Sequence, residues 1–317
     1  MKQRSIGALE VSIVGLGCNN FGSRVDKDGV SDLFTACLDN GVNFFDTADV
    51  YGNGASEELL GDAVRANRDE VFIATKFGLR GMDPGVTGGS AEWIRSAVDL
   101  SLRRLGTDWI DLYQIHTPDS AVDESETLGA LNDLVVAGKI REIGCSNYDA
   151  ELLDSSLDIS ERESFAAYST IQNRYSLLHR EPESEVLEVC GDRKVGFLPY
   201  FPLESGLLTG KVSESGPLPG TRLAEWPADR LDLFLSDSKI ATVKRLENWV
   251  NLRGRSLLEL AFSWLLMNPS VPSVIAGATS VEQLLSNSRA ADWVLSDIEM
   301  AELNDILTDA PSHRSGK

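Results

Sequence analysis

Val42-Asn43-Phe44-Phe45-Asp46-Thr47-Ala48-Asp49-Val50-Tyr51-Gly52 is the stretch whose reading decides the fold of this chain. Its first half is a short apolar run with Gly41 before it and turn residues after it, which reads as a buried strand. The run stops at a carboxylate, Asp46. Five residues later Tyr51 stands in a glycine-flanked turn, Tyr51-Gly52-Asn53-Gly54. From 56 to 65 the pattern predicts a helix, with Ser56 as its cap and Leu59, Leu60, Ala63 and Val64 as its apolar stripe. An acid and a phenol therefore lie where a buried strand opens into a loop. In a barrel of alternating strands and helices, that is the catalytic end.

Outward from this stretch the alternation repeats. Strands are predicted at 13–17, 42–46, 71–76, 110–115, 140–145, 165–171, 195–200 and 271–275. Helices are predicted at 30–39, 56–65, 91–105, 124–137, 150–157, 183–190, 257–267 and 281–290. Ser90 and Gly106 cap and stop the third helix, and Asp123 and Gly138 the fourth. Eight such units argue for a parallel sheet closed into one α/β domain, a (β/α)8 TIM barrel spanning 1–317. A hairpin at 2–12, turning at Gly7-Ala8, precedes it. A long excursion at 203–255 carries an extra helix at 239–250, and a last helix covers 296–309. Connections of that length are usually functional or disordered.

Composition bounds the class. The 317 residues are 42% apolar, enough for a large core, and no run approaches the ~20 apolar residues that span a bilayer. No long apolar segment follows the N-terminus, so no signal peptide is expected. Cys18, Cys37, Cys145 and Cys190 are far apart, which suits a reduced, cytoplasmic protein. The net charge of -20 argues against a nucleic-acid partner, because phosphates are repelled. It reads as an ordinary acidic surface, with adaptation to high salt as the alternative.

Polar groups recur at the predicted strand ends: Asp46 with Tyr51, Lys76, His116, Ser146-Asn147, Gln172-Asn173, Tyr200, and Gly277-Ala278-Thr279-Ser280. Each alone has a plainer reading: a turn Asp, a surface Lys, a core His, a packed rim Tyr. Four of them converging on one end of three adjacent strands weakens those readings. A phenol is a poor proton donor or acceptor near neutrality, and a nearby ammonium lowers its pKa. A buried lysine needs a carboxylate partner to stay charged, which Asp46 can supply. A histidine can hydrogen-bond a substrate oxygen. The set suits proton transfer to a carbonyl oxygen and lacks a hydride source, so a nicotinamide cofactor is implied. A metal-dependent hydrolase using Asp46, Asp49 and His116 is a rival in a chain with three histidines.

The stretches DTADVYGNGASEELLG, ATK at Lys76, DLYQIH, REIGCSN before Tyr148, PYFPLESGLLTGK and GATSVEQLLSN resemble the aldo-keto reductase superfamily, from about Ile13 to Asn287. The resemblance implies a (β/α)8 barrel that reduces an aldehyde or ketone with NADPH and no metal. It implies Tyr51 as general acid, with Asp46, Lys76 and His116 completing a tetrad. Ser146, Asn147 and Gln172 match residues holding the nicotinamide carboxamide, and Tyr200 the ring stacked on the nicotinamide. Leu203, Ser205, Gly206 and Leu207 match the loop over the pyrophosphate, with Lys211 near it. Thr279, Gln283 and Asn287 match the adenosine-phosphate end, and Gly277, closing the eighth strand, counts with the cofactor residues. The dinucleotide would lie across the barrel mouth, and the chain has no GxGxxG fingerprint.

Three departures accompany the match. Thr279 and Gln283 stand where the family often has a basic residue, so NADH is expected to serve beside NADPH/NADP+. Phe201 stands where small residues are common. The short stretch after the last helix leads us to expect no long C-terminal substrate loop. Phe21, Phe77 and Trp226 are expected to line an apolar substrate pocket. A different class of function also fits: potassium-channel β subunits resemble this family and bind the same nucleotide, so a weakly catalytic cofactor sensor is the alternative to an enzyme.

Overall fold

Short strands, each followed by a helix, build an eight-stranded parallel sheet that curls on itself. The structure, a computed structural model, describes residues 1–79, 88–210, 212–213, 216–217, 223–227, 231 and 235–308. After the antiparallel hairpin β1 (Gln3–Ile6) and β2 (Leu9–Ser12), the sheet strands are β3 (Val14–Gly17), β4 (Phe44–Asp46), β5 (Phe72–Phe77), β6 (Ile110–Ile115), β7 (Ile140–Ser146), β8 (Tyr168–Arg174), β9 (Gly196–Tyr200) and β12 (Val274–Gly277). Their order is β12-β3-β4-β5-β6-β7-β8-β9, with β9 and β12 side by side at the seam, so the barrel is nearly closed. A two-strand ribbon, β10 (Val212–Ser213) and β11 (Gly216–Pro217), lies in the excursion.

The helices around the sheet are α1 (Lys27–Asp39), α2 (Ala55–Val64), α3 (Ala91–Leu105), α4 (Glu124–Val136), α5 (Ala150–Glu163), α6 (Val186–Arg193), α7 (Asp237–Asn251), α8 (Leu257–Met267), α9 (Val281–Ala290) and α10 (Asp297–Thr308). The predicted caps at Ser90 and Asp123 form, and Gly106 ends α3 in the left-handed region. Ser56 does not cap α2. Gly54 does, at φ 94, and Ser56 turns inward, donating to the Cys18 carbonyl at 2.8 Å and meeting the Thr47 hydroxyl at 2.7 Å. Helix α5 runs past the predicted end at 157 because its buried stripe is completed by Ser156 and Ser160, which do not read as apolar. That delays β8 to Tyr168. Pro182 sets a short 3-10 turn (Glu181–Ser184), so α6 starts at Val186. Pro272 cannot donate to a ladder, so β12 starts at Val274.

Successive side chains on a strand face opposite sides. Outward residues such as Phe45, Ile73 and Ile143 pack under the helices in the main core. Inward residues Phe44, Ala74, Leu112, Leu198 and Ile275 form a second core inside the barrel, closed below by Ile6, Leu9 and Val11 of the hairpin. The hairpin is the barrel's floor. Two residues further along those strands, on the same inward face, stand Asp46, Lys76, Gln114, Tyr200 and Gly277. The polar groups are the next layer of the barrel interior.

Candidate active site

Lys76 is fully buried, and its ammonium donates to both Asp46 oxygens at 2.8 Å and to the Thr47 carbonyl at 2.9 Å. Gln172 gives Asp46 a third hydrogen bond, at 3.0 Å. Burial pulls the Lys76 pKa down, but Asp46 and Tyr51 together hold it above the ordinary lysine value. Both Asp46 oxygens are thus committed to an ammonium, which speaks against its use as a metal ligand. Among the described residues, no group of three or more His, Cys, Asp or Glu is placed to hold a metal ion.

Tyr51 opens a turn in which Gly52, Asn53 and Gly54 all have positive φ, at 58°, 55° and 94°. A side chain at Gly54 would meet Arg104 Cδ at 2.8 Å, so glycine is needed there for space as well as conformation. This sharp turn sends Tyr51 back over the barrel mouth. The Lys76 ammonium lies 5.3 Å from its ring centroid, and the His116 ring meets it edge-on at 6.1 Å. Lys76 does pull the phenol's pKa down, as expected, but it does not set the net direction. Burial outweighs the ammonium, and the Tyr51 pKa is raised. The phenol is therefore a proton-bearing group at neutral pH. His116 follows β6, with its backbone N–H on the Phe77 carbonyl at 2.9 Å. Burial and then Lys76 push its pKa down to about 3, so the imidazole is neutral at pH 7. Its Nδ1 is buried with no partner among the described residues.

Beside these four, Ser146 donates to the Gln172 carbonyl at 2.7 Å. Asn147, at φ 62, donates to the His116 carbonyl at 2.9 Å and accepts from the Tyr200 hydroxyl at 2.9 Å. Tyr200 is thereby pinned by its tip, with Phe201 edge-on at 5.4 Å. One cavity of about 910 Å³ runs from Asp46, Tyr51 and His116 past Ser146, Asn147, Gln172 and Tyr200. It continues along Leu203, Ser205 and Gly206 to Gly277, Thr279, Gln283 and Asn287. Almost every residue singled out in the sequence meets this one space.

The exceptions are informative. Lys76 lies behind the cavity wall. Leu207 is 1% exposed and belongs to the core, so it supports the loop from beneath. Phe21 and Phe77 are also core residues, Phe77 stacking on Tyr113 at 4.6 Å, and Trp226 packs against the core. The apolar lining comes instead from Leu79, Phe201, Leu223 and Leu258. Lys211, like residues 80–87 and 218–222, falls outside the described residues. Asn19, Asn20 and Arg24, in the loop after β3, also line the cavity, and so does Thr117, a short polar residue after a strand that carries no sequence signal of its own.

A family model described as Aldo/keto reductase family matches residues 13–308. This chain belongs to the aldo-keto reductase family. Over 97% of the chain and 93% of the relative, it is 34% identical to an aldo-keto reductase, YhdN, of Bacillus subtilis. It is 31% identical to the NADH-specific methylglyoxal reductase of Escherichia coli, over 96% of this chain and 98% of that one. It is 30% identical to a probable voltage-gated potassium channel subunit beta of Arabidopsis thaliana, over 98% of both. Among solved structures, a glycerol dehydrogenase from Gluconobacter oxydans superposes with a TM-score of 0.85 at 29% identity, covering 100% of this chain and 99% of that one.

This aldo-keto reductase also buries a second acidic cluster behind the Tyr51 turn. Glu57, fully buried, accepts from Thr75 and from Arg104, each at 2.6 Å. Asp49 sits beside them, its Oδ1 buried without a partner among the described residues. Burial, then Glu57, raise its pKa to about 7. Between the ordinary carboxylate pKa of about 3.9 and about 7, the folded state therefore holds a proton that the unfolded state has released. Stability from this group falls as pH rises through that window. His116 runs the opposite way between about 3 and about 6.5, since there only the unfolded state is protonated. Comparing Asp49→Asn with wild type cancels the histidine. The variant is expected to gain melting temperature over wild type at pH 8 compared with pH 5. Equal differences at both pH values would mean that Asp49 does not titrate in this way.

Proposed function

We propose that this chain is an NADP-dependent oxidoreductase that interconverts a carbonyl and an alcohol, with Tyr51 as the proton donor. The observation that carries the reading is the mouth of the barrel. A half-buried, proton-bearing phenol stands there beside a buried ammonium and a neutral imidazole, at one end of a cavity of about 910 Å³.

The residues present fit a nicotinamide dinucleotide. Ser146, Asn147 and Gln172 bring amide and hydroxyl groups to the end near Tyr51, and Tyr200 offers a ring face there. Ser205 Oγ is buried without a partner among the described residues, beside Gly206 at φ 110, where backbone can approach a diphosphate. The N-terminus of α9 turns its positive dipole end to the part of the cavity lined by Thr279 and Gln283, which suits the adenosine phosphate. Gly277 and Asn287 complete the wall. When bound, the reduced nicotinamide supplies the hydride. His116, kept neutral by burial, holds the carbonyl oxygen near the Tyr51 hydroxyl. Tyr51 gives its proton to that oxygen as negative charge develops on it. Lys76 stabilises the phenolate left behind, and Asp46 with Gln172 keeps Lys76 charged and in place. The chain would work as a single barrel domain, in the cytoplasm, on small carbonyl compounds or alcohols. Among the described residues no helix is long and apolar enough to cross a membrane.

A potassium-channel relative favours one second reading, a nucleotide sensor with little turnover. NADPH-dependent turnover on a panel of aldehydes and ketones decides between the two. Tight nucleotide binding with no turnover on any of them would favour the sensor.

Two expectations bear on the cofactor. Tyr200→Ala is expected to weaken nucleotide binding, because a stacked aromatic contributes about 0.5–1.5 kcal/mol beyond its buried area. Equal dissociation constants for variant and wild type would make Tyr200 a rim residue. NADPH is expected to be preferred over NADH by a modest margin. At the adenosine end Thr279 spends its backbone N–H and hydroxyl on Gln283 Oε1, at 2.9 and 3.2 Å, and Glu282 adds negative charge to the lining. Arg24 lines the same cavity but is paired with Glu225. A missing contact to a charged group costs roughly 1.5–3 kcal/mol, more than tenfold in affinity. Steady-state kinetics with both cofactors at one ionic strength test this. A preference above about a thousandfold, some 4 kcal/mol, would require a full basic site at the 2′-phosphate.

A further inference from the structure

Glu204 is a fully buried carboxylate in a turn that borders the cavity. Its neighbours Leu203, Ser205 and Gly206 face that cavity; Glu204 does not. Its carboxylate points into the protein, where Oε1 accepts from Arg174 Nε at 3.2 Å and from the Ser176 hydroxyl at 2.9 Å. Oε2 accepts from Arg174 Nη2 at 2.7 Å, and the Lys239 ammonium lies 3.7 Å away. The cluster joins three parts of the chain: the end of β8, the turn after β9, and α7 of the excursion.

The backbone of this turn is unusual. Phe201, Glu204 and Ser205 have φ of 53°, 44° and 56°, and Gly206 follows at 110°. Three non-glycine residues in the left-handed region so close together need surrounding structure to hold them there. Within the turn, Glu204 N donates to the Phe201 carbonyl at 2.9 Å, Gly206 N to the Leu203 carbonyl at 2.8 Å, Leu208 N to the Leu203 carbonyl at 3.3 Å and the Thr209 hydroxyl to the Gly206 carbonyl at 2.7 Å, and none of these bonds ties the turn to the rest of the barrel. A two-pronged guanidinium–carboxylate pair fixes direction as well as distance, so it can hold a residue in an unfavoured conformation. Arg174 is also the register partner of Tyr200 across β8 and β9. One residue therefore ties the two together: its backbone is in register with Tyr200, and its guanidinium holds the turn that presents Ser205 and Gly206.

We propose that Glu204 is a positioning residue for the dinucleotide: its ion pair with Arg174 latches the 203–206 turn in the shape that presents Ser205 and Gly206 to the diphosphate. The inference rests on the nucleotide-dependent reading above. It goes further by assigning the turn's shape to one buried acid that touches neither cofactor nor substrate. NADPH and NADH share the diphosphate, so the latch affects both alike.

The test is a fluorescence titration of Glu204→Gln with NADPH, NADH and ADP-ribose, the last keeping the diphosphate and lacking the nicotinamide. All three are expected to bind at least tenfold more weakly than to wild type, with the NADPH-to-NADH ratio unchanged. At saturating cofactor, kcat and the carbonyl KM are expected within about twofold of wild type. Glu204→Asp, which keeps the charge one methylene shorter, is expected to fall between the two. Should Glu204→Gln fail to fold, Lys239→Met removes the more distant cation and is expected to move all three dissociation constants up by a smaller factor. Unchanged or tighter binding in a folded variant, even with a lowered melting temperature, overturns the latch and leaves the nucleotide reading standing. No binding of any of the three to wild type overturns both.

Discussion

Tyr51→Phe is expected to lower carbonyl reduction by about 10²–10⁴-fold, the usual contribution of a positioned general acid, while the dissociation constant for NADPH stays near wild type. The substitution removes one oxygen and keeps the ring. The ring's packing is already described by contacts that phenylalanine preserves: the edge-on meeting with His116 at 6.1 Å and the Lys76 ammonium 5.3 Å from the centroid. What disappears is the proton-bearing hydroxyl of the ring that meets His116 edge-on; Tyr200, the other phenol lining the cavity, has its hydroxyl committed to Asn147 at 2.9 Å. His116 cannot take over, since burial keeps it from holding a second proton near neutrality. Single-turnover rates with prebound cofactor, set beside nucleotide affinity, separate the two effects. Unchanged turnover would remove Tyr51 from the chemistry. A parallel collapse of nucleotide binding would mean that its hydroxyl serves the cofactor.

The architecture was legible because two periods agree with it. Strand-length apolar runs alternate with capped helical stripes, and Ser90, Asp123, Gly106 and the hairpin turn at Gly7-Ala8 behave as their residue types demand. The misplaced boundaries share a physical cause. In α5 the buried face is finished by serines, and Ser56 looks like a cap but is used to tie β3 and β4 to α2 from inside. The site was legible where a charged or aromatic residue ends a buried strand, because such a residue needs a reason to be there. It was illegible where the decisive quantity is three-dimensional. That burial outweighs the ammonium at Tyr51 cannot be read from the spacing of Tyr51 and Lys76. Nor does a Glu in the middle of PLESGLL announce that it turns away from the cavity onto Arg174. Phe21 and Phe77 illustrate the converse, since aromatic type alone does not distinguish a pocket wall from the core behind it.

Lys76→Met is expected to inactivate and to destabilise, and the two losses have one cause. The methionine stem fills nearly the same space, so the change is one of charge. Three hydrogen bonds vanish: two to Asp46 and one to the Thr47 carbonyl. Asp46 is left 5% exposed with Gln172 as its remaining donor in this layer. Breaking a buried pair from one side commonly costs roughly 3–5 kcal/mol, because the other charge stays buried without its partner. The sign of the pH dependence follows from Lys76 itself. Its folded pKa is raised, so the stability it contributes is present in full below the unfolded value of about 10.4 and is lost as pH rises through the higher folded value. The gap in melting temperature between wild type and variant should therefore be constant from pH 7 to 9. For activity, the loss of one charge aimed at a developing phenolate is expected to lower kcat by about 10²–10³-fold. Adding Asp46→Asn to Lys76→Met separates the two consequences. The double variant has no stranded carboxylate, so it should regain much of the stability and none of the turnover. Recovery of turnover in the double variant would mean that Lys76 serves only to satisfy Asp46, and that the phenol works without it.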